Sequence, residues 1–179
     1  MSGPSGAGKS TIAGALLRRR PDLGTVTSWT TRPPRPDDGK GKSYSYVSRE
    51  AFKERRAGGG FLESAEVHGD LYGTPKTDVE EALADGRDVL LEIDPQGARQ
   101  VKRLVPSAVT IFVDPPDWAT LEARLRARGT EDEERMKRRL ESARRELAGA
   151  GDFDHRVVND QLEQAVEQVN RILEQVMST

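Results

Sequence analysis

The sequence contains no cysteine, and this absence excludes disulfides, thiolate metal sites and catalysis by a cysteine nucleophile. Only two histidines occur, His68 and His155, and neither is predicted to bind a metal or to act in catalysis. No apolar run approaches the roughly 20 residues that a membrane-spanning helix needs, and no signal-peptide segment follows Met1. These absences predict a soluble, cytoplasmic protein without a membrane partner.

The charges of opposite sign almost cancel, because 28 lysines and arginines stand against 30 aspartates and glutamates, for a net charge of −2. A balance of this kind argues against a broad basic surface for nucleic acid or anionic lipid. The length of 179 residues suits one domain with a hydrophobic core and small inserts. We therefore expect a single-domain protein that does not bind nucleic acid.

Strand-like and helix-like apolar patterns alternate along the chain, which predicts an α/β fold in three layers, a parallel sheet with helices on both faces. Residues 89–94 (VLLEID) are almost continuously apolar, which is typical of a strand covered on both faces. Thr74 and Pro75 resemble a helix cap followed by proline at the first helical position, and Ser48 is a second predicted helix cap. Residues 162–176 carry one apolar stripe at helical spacing, which we expect to face the core. Residues 28–74 and 127–149 break the alternation and predict two appendages on the core. That core is residues 1–27, 75–126 and 150–179.

The most informative motif lies at the start of the chain, where residues 3–11 (GPSGAGKST) match G-x-x-x-x-G-K-[ST] and lead into a helical pattern. Glycines let backbone N–H groups converge on a polyphosphate, and the start of a helix adds the positive end of its dipole. The lysine reaches the outer phosphates, and the hydroxyl of Ser10 is a hard oxygen ligand for Mg²⁺. The predicted polyphosphate site is Gly3, Pro4, Ser5, Gly6, Ala7, Gly8, Lys9, Ser10 and Thr11.

One feature of this motif is unusual. A phosphate loop of this type normally follows a buried strand, but only Met1 and Ser2 precede Gly3. A missing strand of about five apolar residues would cost roughly 1.5–3 kcal/mol for each large side chain. Three explanations stay open: the first residues have been trimmed, the true start lies upstream, or the protein tolerates a gap at this position.

Asp94 is the second candidate for phosphate chemistry, because it follows the apolar residues 89–93 and opens a D-x-x-G match at residues 94–97. Two roles remain open for it: an acid on the magnesium side, acting directly or through water, and a cap on the helix that Pro95 begins. A GTPase is disfavoured because no Asn-Lys-x-Asp guanine motif occurs in the sequence.

The first appendage contains a proline-rich loop in which Arg32 and Arg35 are three residues apart. Two guanidinium groups can grip one phosphate in bidentate fashion, and the alternative is a pair of solvated loop arginines. Tyr44 and Tyr72 each offer a phenolic hydroxyl. Glu63 either points outward into solvent or reads two adjacent N–H donors, which guanine presents and adenine does not.

These segments resemble the guanylate kinase family, whose members phosphorylate GMP with ATP. The resemblance covers essentially the full chain and rests on several ordered motifs. They are residues 2–11 (SGPSGAGKST), 28–36 (SWTTRPPRP), 41–48 (GKSYSYVS), 61–74 (FLESAEVHGDLYGT), 91–98 (LEIDPQGA), 128–140 (RGTEDEERMKRRL) and 158–160 (VND).

The resemblance implies a role for each candidate residue and a name for each appendage: residues 28–74 would be a small mixed GMP-binding lobe, and residues 127–149 a helical lid. Guanine would be read by Ser28, Glu63 and Thr74, with Glu92 and Asp94 nearby. The GMP phosphate would be held by Arg32, Arg35, Tyr44 and Tyr72. The lid arginines would be Arg128 and Arg139, and the contacts near adenine would be Asn159 and Asp160. Catalysis would then depend on Lys9, Arg32, Arg35, Arg128 and Arg139, with Mg²⁺ bound near Ser10 and Asp94.

The chain departs from the family pattern at Trp29, Ser64 and Glu92, none of which removes a donor or acceptor that the chemistry needs. The resemblance implies an ATP:GMP phosphotransferase, also active on dGMP, which works as a monomer or a small homo-oligomer. The alternatives are a protein-interaction module of the same fold and a related kinase of another small phosphate.

Overall fold

The computed structural model describes residues 1–34, 44–127 and 133–177. The chain forms two compact units, one from Met1–Leu16 with Val109–Thr179 and the other from Leu17–Ala108. The helices are α1 (Lys9–Arg19), α2 (Arg49–Ala57), α3 (Lys76–Ala84), α4 (Pro95–Leu104), α5 (Trp118–Ala127), α6 (Glu133–Ala148) and α7 (Leu162–Met177). The strands are β1 (Leu23–Gly24), β2 (Ser28–Thr30), β3 (Tyr44–Tyr46), β4 (Phe61–Val67), β5 (Asp70–Pro75), β6 (Asp88–Val89), β7 (Ile111–Asp114) and β8 (His155–Val158).

The unit that contains both chain ends is built on a parallel pair of strands. Strand β7 pairs with β8 in the register Ile111↔His155, and β7 is buried at all four positions. Phe112, Val113 and Val157 are fully buried, as are Val166 and Val169 of α7. A second cluster joins α5 and α6. Helix α7 therefore contributes its apolar stripe to the core, as its sequence pattern predicts.

A single bridge joins the start of the phosphate loop to β7. Ser2 pairs in parallel with Phe112, because its N–H donates to the carbonyl of Ile111 at 2.8 Å and its own carbonyl accepts from the N–H of Val113 at 2.8 Å. Met1 and Ser2 are both buried. The backbone of Ser2 thus attaches the phosphate loop to β7.

The unit formed by Leu17–Ala108 carries a four-stranded sheet in the order β3-β2-β5-β4. Strands β4 and β5 form an antiparallel hairpin, and its turn places His68 and Gly69 at φ 55° and 89°, as a tight hairpin turn requires. Helix α2 is capped by Ser48, whose hydroxyl accepts from the N–H of Ala51, as predicted. The fully buried Phe52 of that helix stacks on Phe61 at 4.5 Å.

Two predictions for this unit are wrong. Residues 89–94 do not form one long strand: β6 ends at Val89, and the pairing continues only through the N–H of Leu90, which donates to Gly24 at 2.9 Å. The partner strand β1 is only two residues long, and its register with β6 ends at Gly24↔Val89. Thr74 does not cap α3, because it lies in β5 and Pro75 occupies the cap position.

Candidate active site

The phosphate loop is a backbone arch that glycines make possible. Gly3, Gly6 and Gly8 have φ values of 139°, 88° and 93°, a region that other residues rarely adopt. A Cβ at Gly8 would collide with the side-chain amide of Asn159. Helix α1 begins on the carbonyl of Gly8, which accepts from the N–H groups of Thr11 and Ile12 at 3.1 Å each. The start of a helix therefore opens directly from the loop, as an anion site requires.

Lys9 lies in the first turn of α1 with its ammonium group turned back onto the loop. Its Nζ donates to the carbonyl of Gly3 at 2.6 Å and to that of Pro4 at 3.0 Å. Ser10 and Thr11 follow on the same turn and are exposed. A lysine and a serine hydroxyl are thus both located beside the predicted polyphosphate position.

Asn159 ties this loop to the end of β8. Its side chain is buried, and its Nδ2 donates to the carbonyl of Ala7 at 2.7 Å. Its backbone N–H donates to the backbone carbonyl of Asp114 at 2.8 Å, and its own carbonyl accepts from the guanidinium of Arg124 at 3.2 Å. Asp160, the next residue, is exposed. The adenine contacts expected of Asn159 and Asp160 remain predictions, while the contact with Ala7 supports the loop.

A buried acid in the same unit already has a partner. Asp114 at the end of β7 is 5% exposed, and Arg156 donates to its two carboxylate oxygens at 2.9 and 3.1 Å. Hydrogen bonding to this carboxylate, followed by its charge, raises the pKa of Arg156. The charge of Asp114 is therefore matched within this ion pair.

In the other unit, the predicted guanine readers lie together on the sheet. Glu63 of β4 and Thr74 of β5 are register partners, and they are 4% and 0% exposed. The hydroxyl of Thr74 donates to Oε1 of Glu63 at 2.6 Å. Ser28 of β2 is also buried. The outward-pointing alternative for Glu63 is therefore wrong, since the carboxylate lies inside the protein.

The predicted phosphate ligands of this unit cluster around Arg32. Its side chain is buried, its Nη1 donates to the carbonyl of Pro33 at 2.9 Å, and its guanidinium lies 5.1 Å from the ring centre of Tyr44. The rings of Tyr44 and Tyr72 are 6.0 Å apart. The structure thus brings Arg32, Tyr44 and Tyr72 together, whereas Arg35 lies outside the described residues.

Asp94 is the helix cap that its position before Pro95 suggests. Its Oδ1 accepts from the N–H of Gln96 at 2.6 Å and from that of Gly97 at 3.2 Å. The cap does not use Oδ2, so a magnesium-side role is compatible with it. Glu92 is half-buried nearby in the chain. Within residues 1–34, 44–127 and 133–177, no group of three or more His, Cys, Asp or Glu side chains forms a metal cluster.

The predicted lid is described only in part. Arg139 lies on α6 and is buried, while Arg128 falls outside the described residues. No helix of the described part is both long and apolar enough to cross a bilayer.

Sequence reasoning missed two residues that contact this arrangement. A Cβ at Gly97 of α4 would come within 2.9 Å of the carboxyl carbon of Glu63, so only glycine leaves room for that side chain. Gln100, one turn later, bonds to the backbone of β4. Gly97 could have been found as the glycine of the D-x-x-G match, whereas a glutamine in a polar helix carries no signal.

The chain matches the family model described as "Guanylate kinase" over residues 1–176. Among curated relatives, the guanylate kinase of Gloeobacter violaceus is 51% identical over 173 residues, which is 97% of this chain and 84% of the relative. That of Cutibacterium acnes is 49% identical over 174 residues, 97% of this chain and 87% of the relative. The crystal structure of guanylate kinase from Anaplasma phagocytophilum is similar with a TM-score of 0.77 at 32% identity, covering 97% of this chain and 81% of that one.

Proposed function

The chain belongs to the guanylate kinase family, and we propose that the residues described above transfer the γ-phosphoryl group of ATP to GMP. The phosphate loop binds the triphosphate, and the buried acid of the sheet binds the guanine. The enzyme acts in the cytoplasm, as a monomer or a small homo-oligomer. It accepts dGMP as well as GMP.

ATP binds through the backbone N–H groups of residues 3–11 and through Lys9. The ammonium of Lys9 exchanges its bonds to the carbonyls of Gly3 and Pro4 for bonds to phosphate oxygens. This exchange replaces neutral acceptors by charged ones, which makes stronger hydrogen bonds. Lys9 therefore neutralises the charge that spreads over the oxygens of the transferring group.

Guanine is selected by Glu63. The base carries two adjacent N–H donors, on its ring N1 and its 2-amino group, which match the two oxygens of a carboxylate. The hydroxyl of Thr74 donates to Oε1 of Glu63 at 2.6 Å and so orients the carboxylate. The buried Ser28 adds a further polar side chain to the guanine site. Adenine would place an acceptor nitrogen against the buried carboxylate, and a buried polar group left unpaired is strongly unfavourable.

The phosphate of GMP is held by Arg32 and Arg35 with the hydroxyls of Tyr44 and Tyr72. Arg32 is held in place by its bond to Pro33 and by the ring of Tyr44. Such preorganisation aligns the attacking phosphate oxygen. Arg128 and Arg139 supply further positive charge to the transferring group.

When bound with ATP, Mg²⁺ would supply positive charge to the phosphate groups. Each predicted ligand fits this ion by its own chemistry: Ser10 would offer an exposed hydroxyl on the first turn of α1, and Asp94 would offer Oδ2, which the helix cap does not engage. Both are hard oxygen donors of the kind that Mg²⁺ prefers.

The observation that carries the guanine assignment is the buried hydrogen bond between Thr74 and Glu63. The test is the formation of ADP from ATP–Mg²⁺ with GMP, dGMP, AMP, UMP, CMP or ribose phosphates as acceptors. We expect GMP to give the highest kcat/KM and dGMP to be accepted. Faster turnover of an acceptor without guanine would contradict the proposal, and no ADP with any acceptor would favour a protein-interaction module.

The phosphate-loop assignment is tested by Lys9→Ala, for which we expect kcat to fall by about 10²–10³, the scale of losing one preorganised charge. Arg18→Ala removes a positive charge from the exposed far end of the same helix and is expected to keep normal turnover. Full turnover by Lys9→Ala would show that the loop does not bind the transferring phosphate.

A further inference from the structure

Gln100 of α4 forms hydrogen bonds with β4, the edge strand of the four-stranded sheet. Strand β4 is at the end of the strand order and has a sheet neighbour, β5, on one side only. On its other side, the N–H of Ser64 donates to Oε1 of Gln100 at 3.2 Å, and Nε2 of Gln100 donates to the carbonyl of Ser64 at 2.9 Å. The amide of Gln100 therefore pairs with both backbone groups of one residue, as a neighbouring strand would.

The residue held in this way is next to the acid that reads guanine. Glu63 immediately precedes Ser64, so fixing the backbone of Ser64 also fixes the peptide bond that carries Glu63. The same helix accommodates the carboxylate at Gly97, where a Cβ would collide with it. Helix α4 thus constrains Glu63 in two ways. Gly97 leaves room for the carboxylate, and the amide of Gln100 fixes the adjacent backbone.

The strand needs this support because its own pairing is irregular at this point. The register of β4 with β5 shifts between Phe61 and Glu63, and such irregularities bend and loosen a strand locally. An edge strand also leaves backbone N–H and C=O groups open to water. Without the amide of Gln100, the N–H and the carbonyl of Ser64 would lose these hydrogen bonds one residue away from the carboxylate.

We propose that Gln100 is a positioning residue for guanine selectivity, acting through the backbone of Ser64 to align the carboxylate of Glu63 with the two N–H donors of the base. This inference rests on the proposed role of Glu63 as the guanine reader. Functional side chains gain precision from supporting groups that lock their geometry. Loss of this support weakens the two-point recognition of guanine more than binding by a single hydrogen bond.

The comparison of GMP with IMP measures two-point recognition, because IMP keeps the N1–H donor and lacks the 2-amino group. The main variant is Gln100→Met, which keeps a side chain of similar length without the amide. The reference is Glu63→Gln, and the control is Arg103→Ala, an exposed residue on the same helix. For each protein, kcat/KM is measured with GMP and with IMP, together with the KM for ATP and the thermal midpoint.

We expect Gln100→Met to lower kcat/KM for GMP by about tenfold, mainly through a higher KM for GMP, and to lower the GMP:IMP ratio several-fold. The KM for ATP stays unchanged, and Arg103→Ala behaves as wild type. Gln100→Glu keeps an acceptor for the N–H of Ser64 and loses the donor to its carbonyl, so its ratio is expected to lie between those of wild type and Gln100→Met. If Gln100→Met is too unstable to assay, Gln100→Glu provides the same comparison.

A lower thermal midpoint with an unchanged GMP:IMP ratio in both Gln100 variants would overturn the inference, since the contact would then serve stability alone. If Glu63→Gln loses the preference for GMP over IMP and the Gln100 variants keep that preference, only the positioning role fails. If Glu63→Gln also keeps the ratio, the proposed guanine reader itself is wrong. In the double variant that combines Gln100→Met with Glu63→Gln, we expect a GMP:IMP ratio no lower than that of Glu63→Gln alone, because both changes act on the same carboxylate.

Discussion

At the scale of single residues, the acids Glu63 and Asp94 differ in what their oxygens do. Glu63 is buried and receives a hydroxyl donor from Thr74 on one oxygen, which orients the carboxylate for a ligand. Asp94 is half-buried and uses Oδ1 for two backbone N–H groups at the start of α4. The first arrangement suits recognition of a base, and the second suits a helix cap with one oxygen to spare.

The two roles of Asp94 are separated by Asp94→Asn. An asparagine oxygen caps a helix about as well as a carboxylate, so the thermal midpoint should change little. If Asp94 acts near Mg²⁺, loss of its charge lowers kcat by roughly 10–100-fold, the usual effect of losing a supporting group at a metal site, and raises the Mg²⁺ concentration needed for half-maximal rate.

The matched variant for this prediction is Asp94→Ala, which loses the cap and the charge together. It is expected to lower both kcat and the thermal midpoint. Normal kcat and normal Mg²⁺ dependence in Asp94→Asn would leave Asp94 with the cap alone.

Buried charged residues are the part of the site that sequence patterns locate least well. Arg32 and Arg139 are each 6% exposed, although arginines on a polar loop and a polar helix are usually solvated. For the same reason, the sequence does not decide whether the side chain of Glu63 points into the protein or into solvent. By contrast, the motif locates Lys9 and its glycines directly, and the positive φ values of Gly3, Gly6 and Gly8 explain why glycine is needed there.

At the scale of elements, the phosphate loop is supported from two strands. Ser2 bridges to β7, and Asn159 at the end of β8 donates to Ala7 at 2.7 Å. Hydrogen bonds to two neighbouring strands thus hold the loop at both of its ends. The loop is expected to lose its shape when either attachment is removed.

The attachment at Asn159 leads to a prediction for Asn159→Ala. Loss of the bond to Ala7 should raise the KM for ATP by about tenfold, the scale of one buried hydrogen bond, with little change in the KM for GMP. A loop support affects every triphosphate donor, so the KM values for ATP and GTP should rise by the same factor. The measurement is initial-rate kinetics with each donor.

The control for Asn159→Ala is Gln164→Ala, which removes an exposed amide from α7 and should leave both KM values unchanged. A rise confined to ATP would show instead that Asn159 reads the adenine, which is the role implied by the family resemblance.

Elements were predictable where the chain itself provides the signal. The cap at Ser48 and the apolar stripe of α7 are local patterns, and both are confirmed. Strand β5 carries no such signal, because Asp70, Gly73 and Pro75 are poor strand formers, and its pairing with β4 overrides that preference. The reverse holds for residues 89–94, whose apolar run predicts a longer strand than the two-residue partner β1 allows.

At the scale of the whole molecule, the two sets of contacts belong to different units of the chain. The phosphate loop and Asn159 lie in Met1–Leu16 with Val109–Thr179, whereas Glu63, Thr74 and Arg32 lie in Leu17–Ala108. Each unit has its own buried residues and its own paired strands. Each nucleotide is therefore expected to bind to one unit without the other nucleotide being present.

Hydrogen exchange with one nucleotide at a time tests this division, and with it the claim that a buried acid reads guanine while the glycine loop grips the triphosphate. GMP alone should slow amide exchange in β2, β4 and β5, and ATP–Mg²⁺ alone should slow it in residues 2–12. Glu63→Gln should remove the first effect and keep the second, and Lys9→Ala should do the reverse. Protection of residues 2–12 by GMP, with β4 and β5 unchanged, would contradict the account.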